Sequence, residues 1–266
     1  MTDATPADIW IDVARRVHEN LAGVVRTLDE EQLARQSGCR DWDVAQVLGH
    51  LGSAAEIGVA TIDAAVQGQQ TPGPEFNPPV WARWDALDRP ARAHGFLRWG
   101  DQLLGRYEAL DPTSRIGLRI KMFFLPEPID LATLVGFRLS ELTYHGWDVR
   151  VSFDSAATLF PPATELLVDR LGSMIGFFGH ADGLGGREAA IAVETSEPSR
   201  SFGLEISDAV RLVDRLPDAK ATLRAPAEAW LRLAVGRLAP EHTPKALTLT
   251  GDGLDVDDLR RVFPGI

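Results

Sequence analysis

The hydrophobic pattern of this chain changes its period near residue 155, and this change limits the folds that the chain can adopt. Before that point, apolar residues recur every three or four positions in four long segments, which predicts amphipathic helices. The four segments span residues 5–27, 41–68, 90–110 and 129–151. The pattern therefore predicts an α+β protein, with a four-helix bundle over residues 1–155 and a small α+β domain over residues 156–266.

Beyond residue 155, short segments of two kinds follow one another. Residues 188–207 alternate between apolar and polar positions and break at Pro198, which predicts a β-hairpin. Two further strands are predicted at residues 219–226 and 246–252, and helices at residues 161–181, 226–239 and 256–263. The glycine-rich residues 183–186 lack the strand–turn–helix setting of a nucleotide-binding loop and are interpreted as a turn.

The connection after the second predicted helix indicates how the bundle is wound. That helix is about 40 Å long at about 1.5 Å per residue. The 21 residues from 69 to 89 contain four prolines, and only their later part is compatible with a helix. Fully extended, they reach about 70 Å. The connection is therefore long enough to return along the bundle and leave the second and third helices parallel.

Charge and composition exclude several classes of partner. The formal net charge is −11 and no run of lysine and arginine forms a basic patch, so a nucleic-acid partner is not expected. No apolar stretch approaches the roughly 18 residues of a membrane span, and the N-terminus lacks the pattern of a signal peptide. Cys39 is the single cysteine, so no internal disulfide forms, and a cytoplasmic protein is expected. The sequence is compatible with a monomer or a homodimer.

The stretch ELTYHGWD, residues 141–148, carries the first candidate site. Glu141 and His145 are four residues apart on a predicted helix, so their Cβ atoms lie about 5–6 Å apart on one face. Carboxylate and imidazole are both zinc ligands, and a catalytic zinc ion usually has three protein ligands and one open position. The same spacing also suits a surface hydrogen bond. Asp148 lies near the same face and is placed to orient a histidine ligand or to contact the helix surface.

His50 is the histidine best placed to complete such a set. It lies beside Leu51 at the edge of the apolar stripe of the second predicted helix. A histidine that faces a bundle core needs a polar partner, which a hydrogen bond or a metal ion can supply. Both interpretations are open on this evidence alone.

Three segments together resemble a known family. SGCRDWDVAQVLGHLGSAA, residues 37–55, and SELTYHGWDVR, residues 140–150, resemble the second and fourth helices of the DinB-like, mycothiol-dependent maleylpyruvate isomerase family. Residues 226–252 are similar to the end of the sterol-carrier-like domain that such proteins often append. The resemblance thus covers nearly the whole chain and implies a DinB-like four-helix bundle followed by a sterol-carrier-like α+β domain.

The resemblance also implies a cofactor, a co-substrate and a site. It implies a divalent metal ion, usually zinc, bound by His50, Glu141 and His145, and mycothiol as the thiol co-substrate. It assigns a catalytic position to Arg237, where the thiolate or an enolate would be stabilised. The family commonly has an aromatic residue where Val235 stands here, and a cation at the end of a helix is the alternative role for Arg237.

Other residues compete for places in the site. Trp81 and Trp84, in the connection, are candidates for lining a pocket that binds the thiol or the substrate, or they cover the core. Trp42 is expected to pack at the start of the second helix. Cys39 precedes that helix, whose N-terminus can lower a thiol pKa, but no histidine is adjacent to it in sequence. A partly buried structural cysteine is the other interpretation.

Three functions are compatible with these residues. The first is a metal-dependent S-transferase that activates mycothiol as a zinc-bound thiolate for attack on a small electrophile. The second is a mycothiol-dependent maleylpyruvate cis–trans isomerase, in which the thiol adduct is expelled after bond rotation. The third is a non-catalytic protein that binds a small molecule. The electrophile itself is not encoded in any recognisable motif.

Overall fold

The computed structural model describes residues 4–265 and divides the chain into two compact units, Met1–Ala157 and Thr158–Ile266. The helices of the first unit are α1 (Pro6–Val25), α2 (Glu30–Leu33), α3 (Val44–Val66), α4 (Asn77–Asp85), α5 (Arg89–Glu108), α6 (Pro112–Gly117) and α7 (Leu131–Arg150). The four long helices, α1, α3, α5 and α7, correspond to the four predicted segments and build the bundle.

Aspartates fix where helices α3 and α7 begin. The Asp43 carboxylate accepts a hydrogen bond of 2.7 Å from the Gln46 backbone N–H at the start of α3. Asp130 accepts one of 2.8 Å from Thr133 at the start of α7. Each carboxylate satisfies a backbone donor that has no partner inside its helix. The two helices that carry the candidate ligands therefore begin at defined residues.

Helices α3 and α5 run parallel, as the length of their connection predicts. Asp43 and Arg89, at their N-terminal ends, form an ion pair with an N–O distance of 2.9 Å. Asp63 and Arg106, near their C-terminal ends, form another at 3.0 Å. The proline-rich connection carries α4 in its later part, so the chain returns along the bundle before α5 begins.

Glycines on α5 differ in the space around them, and this difference predicts opposite effects of alanine. A Cβ atom on Gly95 would lie 2.5 Å from the ring of Trp84, whereas one on Gly105 would meet nothing within 4 Å. We expect Gly95→Ala to lower the free energy of unfolding by about 1–3 kcal/mol because the ring must move. Gly105→Ala should raise it by up to about 1 kcal/mol. Urea denaturation of both variants measures the two changes, and equal effects would contradict the packing described.

The second unit combines a sheet with short helices. Its helices are α8 (Pro161–Arg170), α9 (Ile175–Phe178), α10 (Ala227–Ala234) and α11 (Val256–Val262), and its strands are β1 (Ala189–Ser196), β2 (Arg200–Ile206), β3 (Val210–Val213), β4 (Ala221–Pro226) and β5 (Thr248–Gly251). The strand order is β3-β2-β1-β4-β5, and all neighbouring pairs are antiparallel except β1 and β4. Trp230 of α10 is fully buried and contacts Phe202 and Phe263, so the aromatic core lies between helix and sheet.

The sequence-based prediction missed several short elements. Helices α2 and α6 lie between the predicted helical segments, where no helix was predicted, and β3 was not predicted either. The helix predicted over residues 161–181 ends at Arg170 and continues as a 3-10 turn and the short α9. Glycines lower helix propensity in this segment, and a Cβ atom on Gly179 would lie 2.7 Å from the side chain of Val210 in β3. Glycine there permits the close approach of the chain to the sheet.

None of the helices in residues 4–265 combines the length and the apolar character that a membrane crossing requires. Of the glycine-rich residues 183–186, Gly183 and Leu184 end a 3-10 helix, and Gly185 and Gly186, which both have positive φ values, form the predicted turn.

Candidate metal centre

Helices α3 and α7 bring the three predicted ligands together within the first unit. The Nε2 atom of His50 lies 2.7 Å from Oε2 of Glu141. The Nε2 atom of His145, one helical turn further along α7, lies 3.7 Å from the same oxygen. One candidate ligand atom from each of the three residues lies within 4.8 Å of the others. Two imidazoles and a carboxylate therefore converge on one point from two helices.

The donor set fits a zinc ion or a similar divalent cation. Two nitrogen or oxygen ligands of a tetrahedral zinc ion are about 3.4 Å apart, since each lies about 2.0–2.2 Å from the ion. The separation between Glu141 and His145 is close to this value, and that between His50 and Glu141 is shorter because a hydrogen bond joins them. If an ion replaces the proton shared by His50 and Glu141, their ligand atoms must move apart by less than about 1 Å. Both side chains are partly exposed, so they can make a shift of that size.

Glu141 is ionised in this environment. Burial raises the pKa of its carboxyl group, but the hydrogen bond with His50 and the charges of His145, His50 and Arg138 outweigh burial and lower the pKa to about 2. A ligand carboxylate must be deprotonated to bind a metal ion. Glu141 meets this requirement at neutral pH.

Asp148 fixes the orientation of His145. Its Oδ2 atom lies 2.9 Å from Nδ1 of His145, and its side chain is 0% exposed. A carboxylate that accepts the Nδ1 proton leaves Nε2 as the unprotonated nitrogen, which is the one facing Glu141 and His50. The structure thus places Asp148 behind the ligand histidine, in the orienting position that the sequence left open.

Cys39 lies against the same carboxylate, a contact that sequence reasoning missed. Its Sγ atom is 3.0 Å from Oδ2 of Asp148 and 3.7 Å from Nδ1 of His145. These residues are more than 100 positions apart in the chain, so the only sequence signal was the absence of a neighbouring histidine. That signal was misleading because the histidine near Cys39 is His145, which belongs to the distant helix α7.

Arg138 is a second residue that the sequence analysis did not select. Its side chain is buried, and its Nη1 donates a hydrogen bond of 3.0 Å to the carbonyl oxygen of Leu51, next to His50. Burial lowers the pKa of this guanidinium to about 10, so it stays protonated at neutral pH. An arginine one turn before Glu141, on an otherwise apolar helix face, was the available signal. The contact ties α7 to α3 at the level of the ligands.

A cavity of about 280 Å³ adjoins His50. The cavity is lined by Trp42, Gln46, Gly49, His50, Ser53, Trp81, Trp84, Asp85 and Arg92. Trp81 is 48% exposed at this surface. Trp84 is buried, and its Nε1 donates a hydrogen bond of 2.7 Å to Glu56. Both predicted pocket tryptophans thus lie in one wall, although Trp84 is anchored to the bundle.

Trp42 has a larger place in this site than its position in the sequence suggested. Its ring centroid lies 5.3 Å from that of His50 and 6.1 Å from that of His145. It therefore contacts both candidate histidine ligands besides packing at the start of α3.

Arg237 belongs to the second unit and follows the end of α10. Its backbone N–H donates a hydrogen bond of 2.7 Å to the Arg232 carbonyl, and its Nη1 donates one of 3.2 Å to the Val235 carbonyl. The second contact is typical of a cation at a helix C-terminus, the alternative role considered for this residue. A catalytic role for Arg237 stays a prediction.

Comparisons with known proteins bear on the family and the fold. A sequence model described as the mycothiol maleylpyruvate isomerase N-terminal domain matches residues 14–150, just over half of the chain. A crystal structure of the mycothiol-dependent maleylpyruvate isomerase is similar, with a TM-score of 0.65 and 12% sequence identity over 92% of this chain and 93% of that chain. The structure of a histidine-to-alanine mutant of that enzyme matches equally well. No curated protein sequence matches the chain.

Proposed function

The chain belongs to the mycothiol maleylpyruvate isomerase family, and from this premise we propose that it is a metal-dependent enzyme that joins mycothiol to a small electrophile. The observation that supports the proposal most directly is the convergence of His50, Glu141 and His145 beside an open cavity. A structural zinc site is normally closed by four protein ligands, whereas three ligands next to a cavity are typical of a catalytic site.

Each residue of the site has a defined task in this proposal. His50, Glu141 and His145 would hold the metal ion. A bound zinc ion would lower the pKa of a coordinated thiol, so that mycothiol reacts as a thiolate at neutral pH. Asp148 keeps the Nδ1 proton of His145 in place. The tryptophans of the cavity wall exclude water from the thiol and offer apolar contacts to the electrophile.

The cavity lining favours S-transfer over isomerisation as the principal activity. Three tryptophans form its wall, and Arg92 and Asp85 are its charged members. One Nη atom of Arg92 donates a hydrogen bond of 2.7 Å to the Asp85 carbonyl, and its buried Nε has no hydrogen-bond partner among the described residues. A substrate with two carboxylates would need more cationic groups than this lining supplies. A neutral or weakly charged electrophile suits it better.

Maleylpyruvate isomerisation is the second candidate, because the similar crystal structure is of an enzyme with that activity. A catalytic role for Arg237, which the family resemblance implies, belongs to this candidate. A non-catalytic binding protein would carry the same cavity without turnover.

Three measurements on the purified protein test these proposals. Metal analysis should find about one equivalent of zinc or another divalent ion per chain. Mycothiol should be consumed in the presence of a chlorinated aromatic or bimane electrophile, and the thioether product should be detected by mass spectrometry. Maleylpyruvate should be converted slowly or not at all. Conversion of maleylpyruvate without thioether formation would replace the first candidate with the second, and bound metal without either reaction would indicate the binding protein.

Trp81→Ala tests the cavity wall. Because Trp81 is half-exposed, we expect little change in stability but an increase in KM for the electrophile of about three- to tenfold, as for an aromatic contact of about 0.5–1.5 kcal/mol. Steady-state kinetics of S-transfer measures it. Trp99→Ala, outside the lining, is the control, and equal KM changes in both variants would show that Trp81 does not contact the substrate.

A further inference from the structure

A second set of metal-binding side chains uses the other ring nitrogen of His145. The Cys39 thiol, the His145 Nδ1 atom and the Asp148 carboxylate lie within 4.8 Å of one another. The shortest separations are 2.9 Å between His145 and Asp148 and 3.0 Å between Cys39 and Asp148. We propose that these three residues form a second cation site, selective for thiophilic divalent ions, which competes with the first site for His145.

The backbone holds this set together before any ion binds. The Gly38 N–H donates a hydrogen bond of 2.8 Å to the Asp148 carbonyl oxygen. A Cβ atom on Gly38 would lie 2.9 Å from Cα of Asp148, so only glycine allows the loop to approach α7 so closely. The Ser37 hydroxyl and the Gln36 amide each form a hydrogen bond with the backbone of Cys39. The thiol therefore reaches the carboxylate from a loop whose preceding residues are held by hydrogen bonds.

The donor types determine which cations the site would take. Thiolate, imidazole and carboxylate together suit zinc and softer ions of the same charge, whereas magnesium and calcium prefer oxygen ligands alone. Coordination breaks the S–H bond of Cys39 and releases that proton to solvent. The proton on Nδ1 of His145 is also lost from that nitrogen, and Nε2 takes up a proton so that the ring stays neutral.

The two sites exclude one another because of His145. A neutral imidazole has one nitrogen with a free lone pair, so the ring serves either Nε2 in the first site or Nδ1 in the second. A thiophilic ion at Cys39 would thus weaken metal binding at His50 and Glu141 by removing a ligand rather than by taking the ion's place. This competition rests on the proposed metal centre, whereas the second site itself does not.

Cadmium titration tests the proposal on the full chain, with a phosphine reductant and no added thiol. A sulfur-to-cadmium charge-transfer band in the ultraviolet is expected, and it must come from Cys39 because the chain has one cysteine. The band should saturate at about one equivalent and be absent from Cys39→Ser. In the zinc-loaded protein, the amount of zinc released should rise in parallel with the intensity of the band as cadmium is added. Cys39→Ser should need at least about tenfold more cadmium for half-release, since one of three ligands is missing.

Each outcome decides one part of the proposal. If no band depends on Cys39, the second site does not exist. A full band with zinc retained would overturn the competition for His145. His50→Ala should keep the band, because His50 belongs to the first site alone. Persistence of the band in this variant therefore supports the second site even if the proposed zinc centre does not exist. Loss of the band in His50→Ala would contradict a site made by Cys39, His145 and Asp148.

Discussion

His50→Ala is expected to lower the zinc affinity at least about 100-fold and to reduce the proposed thiol transfer to the background rate, because it removes one of the three proposed metal ligands. The two remaining ligands, Glu141 and His145, both belong to α7. They cannot hold the ion between helices once the ligand from α3 is absent. Metal analysis after dialysis against a weak chelator measures the loss.

Stability should change little in this variant. The His50 side chain is 34% exposed, and substitutions of this kind usually change the free energy of unfolding by about 1 kcal/mol or less when no core packing is lost. His94→Ala is the matched control, since His94 is an exposed histidine on α5. His50→Ala protein that is folded and retains stoichiometric zinc would show that residues other than His50 hold the ion.

The long helices of the bundle could be predicted because each repeats its apolar stripe many times. In α1, for example, Val13, Val17 and Leu21 of the predicted stripe are buried, whereas Ile9, its first member, is 51% exposed and Ile11 is buried instead. The repeat is long enough that one wrong position does not mask its period. Elements of four residues such as α2 and β3 contain too few repeats for a period to be recognised. Their conformations depend on contacts made by the rest of the fold, as at Gly179 against Val210.

The candidate site was predictable where its residues share one helix. The shared face of Glu141, His145 and Asp148 follows from helical spacing alone, whereas a metal ligand role for Glu141 and His145 was implied by the family resemblance. His50 was selected because a histidine at the edge of an apolar stripe needs a partner. The contact of Cys39 with His145 depends on the register between a loop and a distant helix, for which one sequence carries no signal. The hydrogen bond from Arg138 to Leu51 is of the same kind.

Asp148→Asn should weaken zinc binding about 10- to 100-fold while all three ligands remain, since a residue behind a ligand histidine commonly has an effect of that size. The amide has nearly the shape of the carboxylate but lacks its charge, and only one of its two terminal atoms accepts hydrogen bonds. The Nδ1 proton of His145 and the Cys39 thiol both face Oδ2 of Asp148. The neutral side chain holds the Nδ1 proton less firmly, so the Nε2 lone pair is less often directed at the ion.

Chelator competition distinguishes this effect from the loss of a ligand. At saturating zinc, Asp148→Asn should still bind about one equivalent, whereas His50→Ala should not. The visible spectrum of the cobalt-substituted protein should keep its tetrahedral intensity in Asp148→Asn, because the ligand atoms are unchanged. Asp154→Asn is the control, since this exposed aspartate follows α7 and faces none of the ligands. An affinity of Asp148→Asn within about twofold of the native value would mean that contacts with His50 and Trp42 orient the His145 ring without help from the carboxylate.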